Sequence, residues 1–300
     1  MKPQVFLWAG SAPATTPLHF DTSHNCYAQL LGEKTFWLLP PAAIPHVHVH
    51  PLAHPSDRQS QVPWIPGWLL PPAAPRPQAL LAGEMHLHDE VLARFPDAWW
   101  ARPVAADDGD GLKPLRAALS PGDVLLLPAL WLHQVRADTA SVSVNVWTLA
   151  QGHERLARLL ATPLPLYSAA WSADQLLVYM QYLLTAVLEA ILPTPAPGAC
   201  GPAVSCAHAF VTTLVLQKYA PLGLLDAPPF PCSASRARGL SDALRPHVTA
   251  AAATFADMSA AERFVYLGAW VETQAQFAVG PIDTGPFLHA CIPQRALDAR

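Results

Sequence analysis

From Val5 to about Trp147 the apolar positions fall in short runs broken by Gly, Pro and Asp. That is the spacing of β-strands in a sandwich or barrel, and helical periodicity is mostly absent. The segment Ser141-Val-Ser-Val-Asn-Val-Trp147 alternates strictly. As a strand it sends Ser141, Ser143, Asn145 and Trp147 to one face and Val142, Val144 and Val146 to the other, so one face lines something polar. After Leu149 the period changes. Ser172 followed by Gln175, and Ser259 followed by Glu262, have capping-box spacing ahead of apolar runs and predict two helix starts. Helices are expected over roughly 152–161, 172–192, 205–219, 236–253 and 259–278, joined by Pro-rich connectors, with no internal repeat. Within them Leu176, Leu177, Met180, Leu183, Leu184, Val187 and Leu188 form a stripe too broad to leave in water. It is expected to bury against the barrel or a second copy of the chain.

The pattern therefore divides the chain into a β-rich part, residues 1–150, and a helical part, residues 151–300. At 300 residues and 52% apolar content the chain is globular and long enough for one or two cores. Charged residues are only 13% and the net charge is -4, so no basic surface marks a nucleic-acid partner. The 33 prolines cluster at Pro71-Pro72, Pro75, Pro77 and from Pro193 to Pro202, where they interrupt regular structure. Cys26, Cys200, Cys206, Cys232 and Cys291 are odd in number and none stands in a CxxC pair. Neither a disulfide framework nor a zinc knuckle is expected, which fits a reducing compartment, cytoplasm or nucleus. Met1 to Ser11 lacks the basic-then-apolar order of a secretory signal. The longest apolar stretch, Leu176 to Leu192, contains Gln181 and Glu189 and falls short of the roughly 20 uncharged residues a membrane span needs.

His19-Phe20-Asp21 puts two metal-ligand types two residues apart, on one side of a strand or its end. Alone, such a triplet is usually a surface His beside a solvated Asp. The segment from Gly122 to His133 changes the odds: an apolar strand passes through Pro128 and an aromatic turn to deliver a third ligand, His133. Two imidazoles and one carboxylate suit non-haem Fe(II), leaving positions open for co-substrate and dioxygen. A structural zinc site would want a closed fourth ligand, for which Cys26 or His24 are nearest in sequence.

Lys34 stands fifteen residues after His19, just past a hairpin turn at Gly32, and begins the apolar run Thr35-Phe-Trp-Leu-Leu39. An ammonium at the edge of a barrel interior needs an anionic partner, and a dicarboxylate co-substrate would provide one. Thr16 is placed to add a hydroxyl to the same carboxylate, or is simply a strand threonine. Asn145 shares the polar face with Trp147, either lining the cavity or satisfied within a core. The run His46-Val-His-Val-His50, with His54, invites a second metal site, but the prolines at 45, 51 and 55 favour a loop bearing a surface histidine cluster. Trp64, Trp68, Trp99 and Trp100 lie where substrate-facing loops would fall, and they contact a peptide or merely pack.

At these residues the sequence resembles the JmjC family and, within it, the small cupin-8 hydroxylases that include the asparaginyl hydroxylase of the hypoxia-inducible factor. The matching stretches are Thr16-Pro-Leu-His-Phe-Asp-Thr-Ser-His-Asn25, Gln29 to Lys34, Leu38-Leu-Pro-Pro41, Gly122 to Pro128, Trp131-Leu-His133 and Ser141 to Trp147. They cover roughly residues 5–150 in family order and spacing. The resemblance implies an α+β chain: a double-stranded β-helix (jelly-roll, cupin) barrel followed by a mainly helical region. It implies Fe(II) on His19, Asp21 and His133, with Lys34 and Thr16 on the distal carboxylate of 2-oxoglutarate. Asn25 and Asn145 are similar to family asparagines lining the same cavity.

The implied reaction is 2-oxoglutarate-dependent hydroxylation of a polypeptide side chain with release of succinate and CO2. Oxidation of a tRNA nucleoside, lysine demethylation, and a non-catalytic cupin scaffold binding partners through its helical half are the alternatives. Low basic character speaks against the first, and the lack of reader or zinc modules against the second. Relatives carry a long segment before the His-x-Asp strand, whereas 18 residues precede His19 here, so the barrel is expected to be short at its N-terminus. By analogy the C-terminal helices are expected to form homodimer contacts.

Overall fold

The computed structural model describes residues 3–62, 90–91, 93–95, 114–192, 206–226, 228–232 and 240–292. The chain divides into two compact units, Met1–His50 with Pro55–His153 and Pro51–His54 with Glu154–Arg300.

In the first unit β1 (Gln4–Gly10), β2 (Thr15–Phe20), β3 (Ser23–Leu31), β4 (Lys34–Leu39), β5 (Leu115–Leu119), β6 (Val124–Leu127), β7 (Leu132–Ala137) and β8 (Ser141–Leu149) form two antiparallel sheets. Their orders are β1-β8-β3-β6 and β2-β7-β4-β5. Successive strands mostly switch sheets, which is the jelly-roll arrangement of a cupin. Gly32 makes the β3–β4 turn at φ 69°, where a Cβ would stand 2.0 Å from the Ala140 carbonyl oxygen. Only glycine fits there. Beyond it, Lys34, Phe36 and Leu38 share the inner face of β4, and Phe36 and Leu38 pack with Tyr27, Leu119 and Leu127.

The sheet containing β8 is inside out relative to ordinary antiparallel sheets. Ser141, Ser143 and Asn145 are buried, as are Asn25, Tyr27 and Gln29 from the neighbouring strand β3. Val142, Val144 and Val146 point the other way, in register with Val5 and Leu7 of β1, and Val146 also pairs with Cys26 of β3. Val5, Leu7 and, on β6, Leu126 are 65%, 70% and 71% exposed. A polar interior with an apolar exterior is what a strand pattern produces when the barrel encloses a polar site.

The second unit is built from helices. They are α1 (Gln151–Leu160, which begins in the first unit), α2 (Ala173–Ile191), α3 (Cys206–Lys218), α4 (Leu240–Phe255) and α5 (Gly268–Cys291). A helical turn, Ala260–Glu262, and a π-helical segment, Arg263–Leu267, lead into α5. Both expected capping boxes form: Ser172 with Gln175, and Ser259 with Glu262, each satisfy an otherwise orphan N–H in both directions. The last helix runs past its expected end near residue 278. The chain breaks at Gly280, with φ 80° and ψ 168°, and helical turns resume at once. Pro281 sits in the first resumed turn, where its missing N–H has no intrahelical partner to lose.

Met180, Leu183, Leu184, Val187 and Leu188 of α2 are fully buried, and α2 packs on α3, α4 and α5. The stripe is therefore covered by sibling helices, and gives no argument for the barrel contact or homodimer expected of it. In the core of this unit Glu272 is wholly buried, accepting from Lys218 Nζ at 2.5 Å, Tyr219 Oη at 2.7 Å and the Leu52 backbone N–H at 3.1 Å. Burial and the adjacent Glu272 carboxylate push the Tyr219 phenol far above its ordinary range.

The cysteine reading is corrected. Cys232 and Cys291, 59 residues apart in sequence, are disulfide-bonded with Cα atoms 5.3 Å apart, and Cys206 is also in a disulfide. Neither sequence spacing nor an odd count reports which Cα atoms a helical fold brings within bridging distance. Cysteine usage therefore lends no support to a reducing compartment. Among the described residues no helix is long and apolar enough to cross a membrane.

Candidate metal centre

β2 and β7 pair so that His19 lies directly opposite His133, after a register shift between Thr16 and His19. Asp21 follows the end of β2, and its carbonyl accepts the Leu130 N–H at 2.8 Å. Leu130 is buried at φ 69°, a left-handed conformation unusual for a bulky side chain. This tight turn aims β7 so that His133 enters beside β2. The two imidazoles stand 4.1 Å apart, centre to centre, and Asp21 Oδ2 is 3.8 Å from His133 Nε2. One ligand atom from each of the three side chains lies within 4.8 Å of the others.

Backbone carbonyls choose the tautomers. His19 Nδ1 is 2.8 Å from the Pro17 oxygen and His133 Nδ1 is 3.0 Å from the Trp131 oxygen. A carbonyl only accepts, so both Nδ1 atoms carry the proton and both Nε2 lone pairs are available to a cation. Burial first, then the neighbouring His19, lowers the His133 pKa to about 3 against the hydrogen bond to Trp131, so this imidazole is neutral. Burial raises the Asp21 pKa, opposed by His19 and Arg58. Burial of the Asp21 carboxylate beside the neutral His133 imidazole carries a desolvation cost that a divalent cation would offset.

The donor set fits Fe(II): two imidazole nitrogens and one carboxylate, with no fourth side chain brought in among the described residues. Cys26 and His24, the fourth ligands a structural zinc would need, are exposed and alternate with the inward-facing Asn25 and Tyr27. His24 Nδ1 instead accepts the Ala129 N–H at 3.1 Å.

Lys34 faces the interior, where its Nζ donates to Tyr27 Oη at 2.7 Å and to Ser143 Oγ at 3.0 Å. Asn145 Nδ2 donates to Asn25 Oδ1 at 3.1 Å, while Asn145 Oδ1 accepts from Trp8 Nε1 at 2.9 Å. The two asparagines are thus buried side by side and satisfied. Thr16 is exposed on β2 opposite Val135, and Lys34 makes no hydrogen bond to it.

Sequence reasoning overlooked Tyr27 and Ser143 as partners of Lys34, and Arg58 and Gln59 as neighbours of the triad. Gln59 bridges His19, the Ser60 N–H reaches the Leu18 oxygen at 2.8 Å, and Arg58 stands at φ 66° with its charge felt by Asp21. The available signal was the polar run Asp57-Arg-Gln-Ser-Gln61 inside a Pro-rich apolar stretch. The histidine run is irregular, as its prolines lead one to expect, but it is not the surface cluster expected there. Pro41–His46 is a 3-10 helix, and His48 is buried against Phe95 with ring centres 5.0 Å apart. Trp64, Trp68, Trp99 and Trp100 lie outside the described residues.

Comparison with known proteins agrees with this geometry. The chain is 31% identical over 162 residues to the human bifunctional peptidase and (3S)-lysyl hydroxylase JMJD7, covering 49% of this chain and 42% of that protein. It is 27% identical to the Arabidopsis thaliana lysine-specific demethylase JMJ32, covering 48% and 41%, and 28% identical to human HSPB1-associated protein 1, covering 55% and 30%. The match thus spans less than half the length of these curated relatives. Likeness to the asparaginyl hydroxylase subgroup remains a similarity only. Residues 1–148 match the family profile described as a cupin-like domain, so the N-terminal part of this chain carries a cupin-like domain.

Proposed function

We propose that the barrel is the catalytic part of an Fe(II)- and 2-oxoglutarate-dependent oxygenase acting on a polypeptide side chain. The observation that carries this reading is the His19, Asp21 and His133 cluster with both Nδ1 atoms committed to carbonyls, which aims three ligand atoms at one point. Fe(II) held there would supply activation of dioxygen coupled to decarboxylation of 2-oxoglutarate to succinate and CO2, and oxygen transfer to a substrate C–H bond. The protein's own work is positional. Pro17 and Trp131 fix the ring tautomers, Lys34 holds a co-substrate carboxylate to which Thr16 adds a hydroxyl, and Asn25 and Asn145 line the polar interior. Domain roles follow: residues 1–150 bear the site and residues 151–300 form a helical companion.

A polypeptide substrate is supported by the names of the relatives, a lysyl hydroxylase and a lysine demethylase. Mass spectrometry of a peptide library incubated with the chain, Fe(II) and 2-oxoglutarate tests it. Gain of one oxygen atom marks hydroxylation, and loss of a methyl group with formaldehyde release marks demethylation. Iron-dependent conversion of 2-oxoglutarate to succinate is required by both, and its absence sinks the proposal.

Lys34→Ala is expected to weaken 2-oxoglutarate binding far more than metal binding. A hydrogen bond to a charged group contributes roughly 1.5–3 kcal/mol, so affinity should fall about tenfold or more. Calorimetric titration with metal present reads it, and an unaltered affinity would return Lys34 to a packing role.

A further inference from the structure

The outer face of the sheet β1-β8-β3-β6 is apolar across all four strands. Antiparallel register lines up Val5, Val146, Cys26 and Leu126 in one row, and Leu7, Val144, Ala28 and Val124 in the next. Ala9 and Val142 begin a third row, beside Leu31 at the register shift of β3. Side chains two apart on a strand share a face, so these positions form one continuous surface. None of them is charged, and the polar outward pair His24 and Thr148 stands at its margin.

Val5, Leu7, Leu31, Val124 and Leu126 are each more than half exposed, so nothing among the described residues covers them. Four strands about 4.8 Å apart, along the seven residues of β1, span roughly 450 Å² in plan. Apolar patches of that order on a monomer often mark an interaction site. Two such faces apposed bury about 900 Å² before the relief of the side chains is counted, against roughly 1,200 Å² at the lower end of specific interfaces. That is enough for a dimer that dissociates at micromolar concentration, and too little for a permanent one.

The chemistry of the face selects its occupant. Apart from the Cys26 thiol, its two complete rows offer neither charge nor side-chain hydrogen bond with which to single out a foreign partner. A four-stranded aliphatic face is matched by another such sheet, stacked about 10 Å away as in a β-sandwich. A second copy brings one, and at a net charge of -4 the two copies repel only weakly. We propose that the chain forms a two-fold homodimer through the outer face of β1-β8-β3-β6. Cys26, on the inner strand β3 and near the middle of the face, is covered in that contact. The α2 stripe takes no part in it, and neither does the metal centre on β2 and β7.

The test is sedimentation velocity of the full chain over a concentration series through the micromolar range, where a monomer–dimer equilibrium is expected. Leu7→Glu and Leu126→Glu change side chains already exposed in the single chain. Each is expected to weaken association about a hundredfold or more, because it forces an unpaired carboxylate into an apolar contact. The circular dichroism spectrum and the unfolding midpoint of the dilute monomer should not move. Cys26 gives a second readout that needs no variant of the face to fold: its alkylation by a maleimide should slow as the concentration of wild-type chain rises, with Cys26→Ser identifying the signal. Should either glutamate variant misfold, the alkylation series decides alone. A chain that stays monomeric while Cys26 reacts at one rate throughout overturns the proposal: a fast rate means a bare face, a slow one a face covered by the chain itself. A dimer that both variants leave intact uses another surface and overturns it as well. A monomer that binds phosphatidylcholine vesicles, and ceases to in Leu7→Glu, would assign the face to a lipid surface instead of a second copy.

Discussion

His133→Ala is expected to remove high-affinity Fe(II) binding. His133 supplies one of three ligand atoms, and its Nε2 is held ready by the Trp131 carbonyl. Loss of a ligand itself should exceed the roughly 10–100-fold that losing a ligand's hydrogen-bond partner costs. Anaerobic calorimetric titration measures it, with circular dichroism confirming that β7 still pairs with β2 and β4. Asp21→Asn should act in the same direction, because it removes the one negative charge of the set. Unchanged iron affinity in His133→Ala would refute the triad, and tightly held zinc with no open position would favour a structural site.

Lys218→Met is expected to destabilise the helical unit by about 3–5 kcal/mol, because it strands the Glu272 carboxylate in the core. Glu272 is 0% exposed and would keep only the Tyr219 hydroxyl and the Leu52 N–H of the partners described for it. Two neutral donors do not replace a cation at that depth. The double variant Lys218→Met with Glu272→Leu should recover most of the loss, since an apolar pair of similar volume often matches a buried ion pair. Denaturant unfolding of the single and double variants reads both effects. A single variant within about 1 kcal/mol of wild type would show that water or another group already screens Glu272.

Much of the site was legible because its chemistry sits in local pattern. His19 and Asp21 are two residues apart at a strand end, where alternation alone places them together, and the turn at Pro128 announces the strand that carries His133. Lys34 was legible from Gly32, whose turn marks the start of the next strand, but the expected hairpin does not form: β4 crosses to the other sheet and pairs with β7 and β5 instead of β3. Tyr27 and Ser143 were not, because they lie 116 residues apart and meet only through the pairing of β3 with β8. Arg58 and Gln59 escaped for a related reason: they reach the triad along β2 through isolated bridges, which leave no periodic trace.

The sequence by itself determined the elements: strand alternation before Leu149, helical stripes after it, both capping boxes and the ligand types in their order. These are local quantities, set by side-chain period and by hydrogen bonds a few residues long. Only the tertiary structure decided which face of β8 lines the cavity, which helices cover the α2 stripe, that Glu272 carries a buried charge network, and that Cys232 meets Cys291. Each depends on contacts between residues far apart in the chain. An apolar stripe states that something must cover it, and a cysteine that it is able to bond, but the partner is named only when packing brings distant segments within a few ångströms of each other.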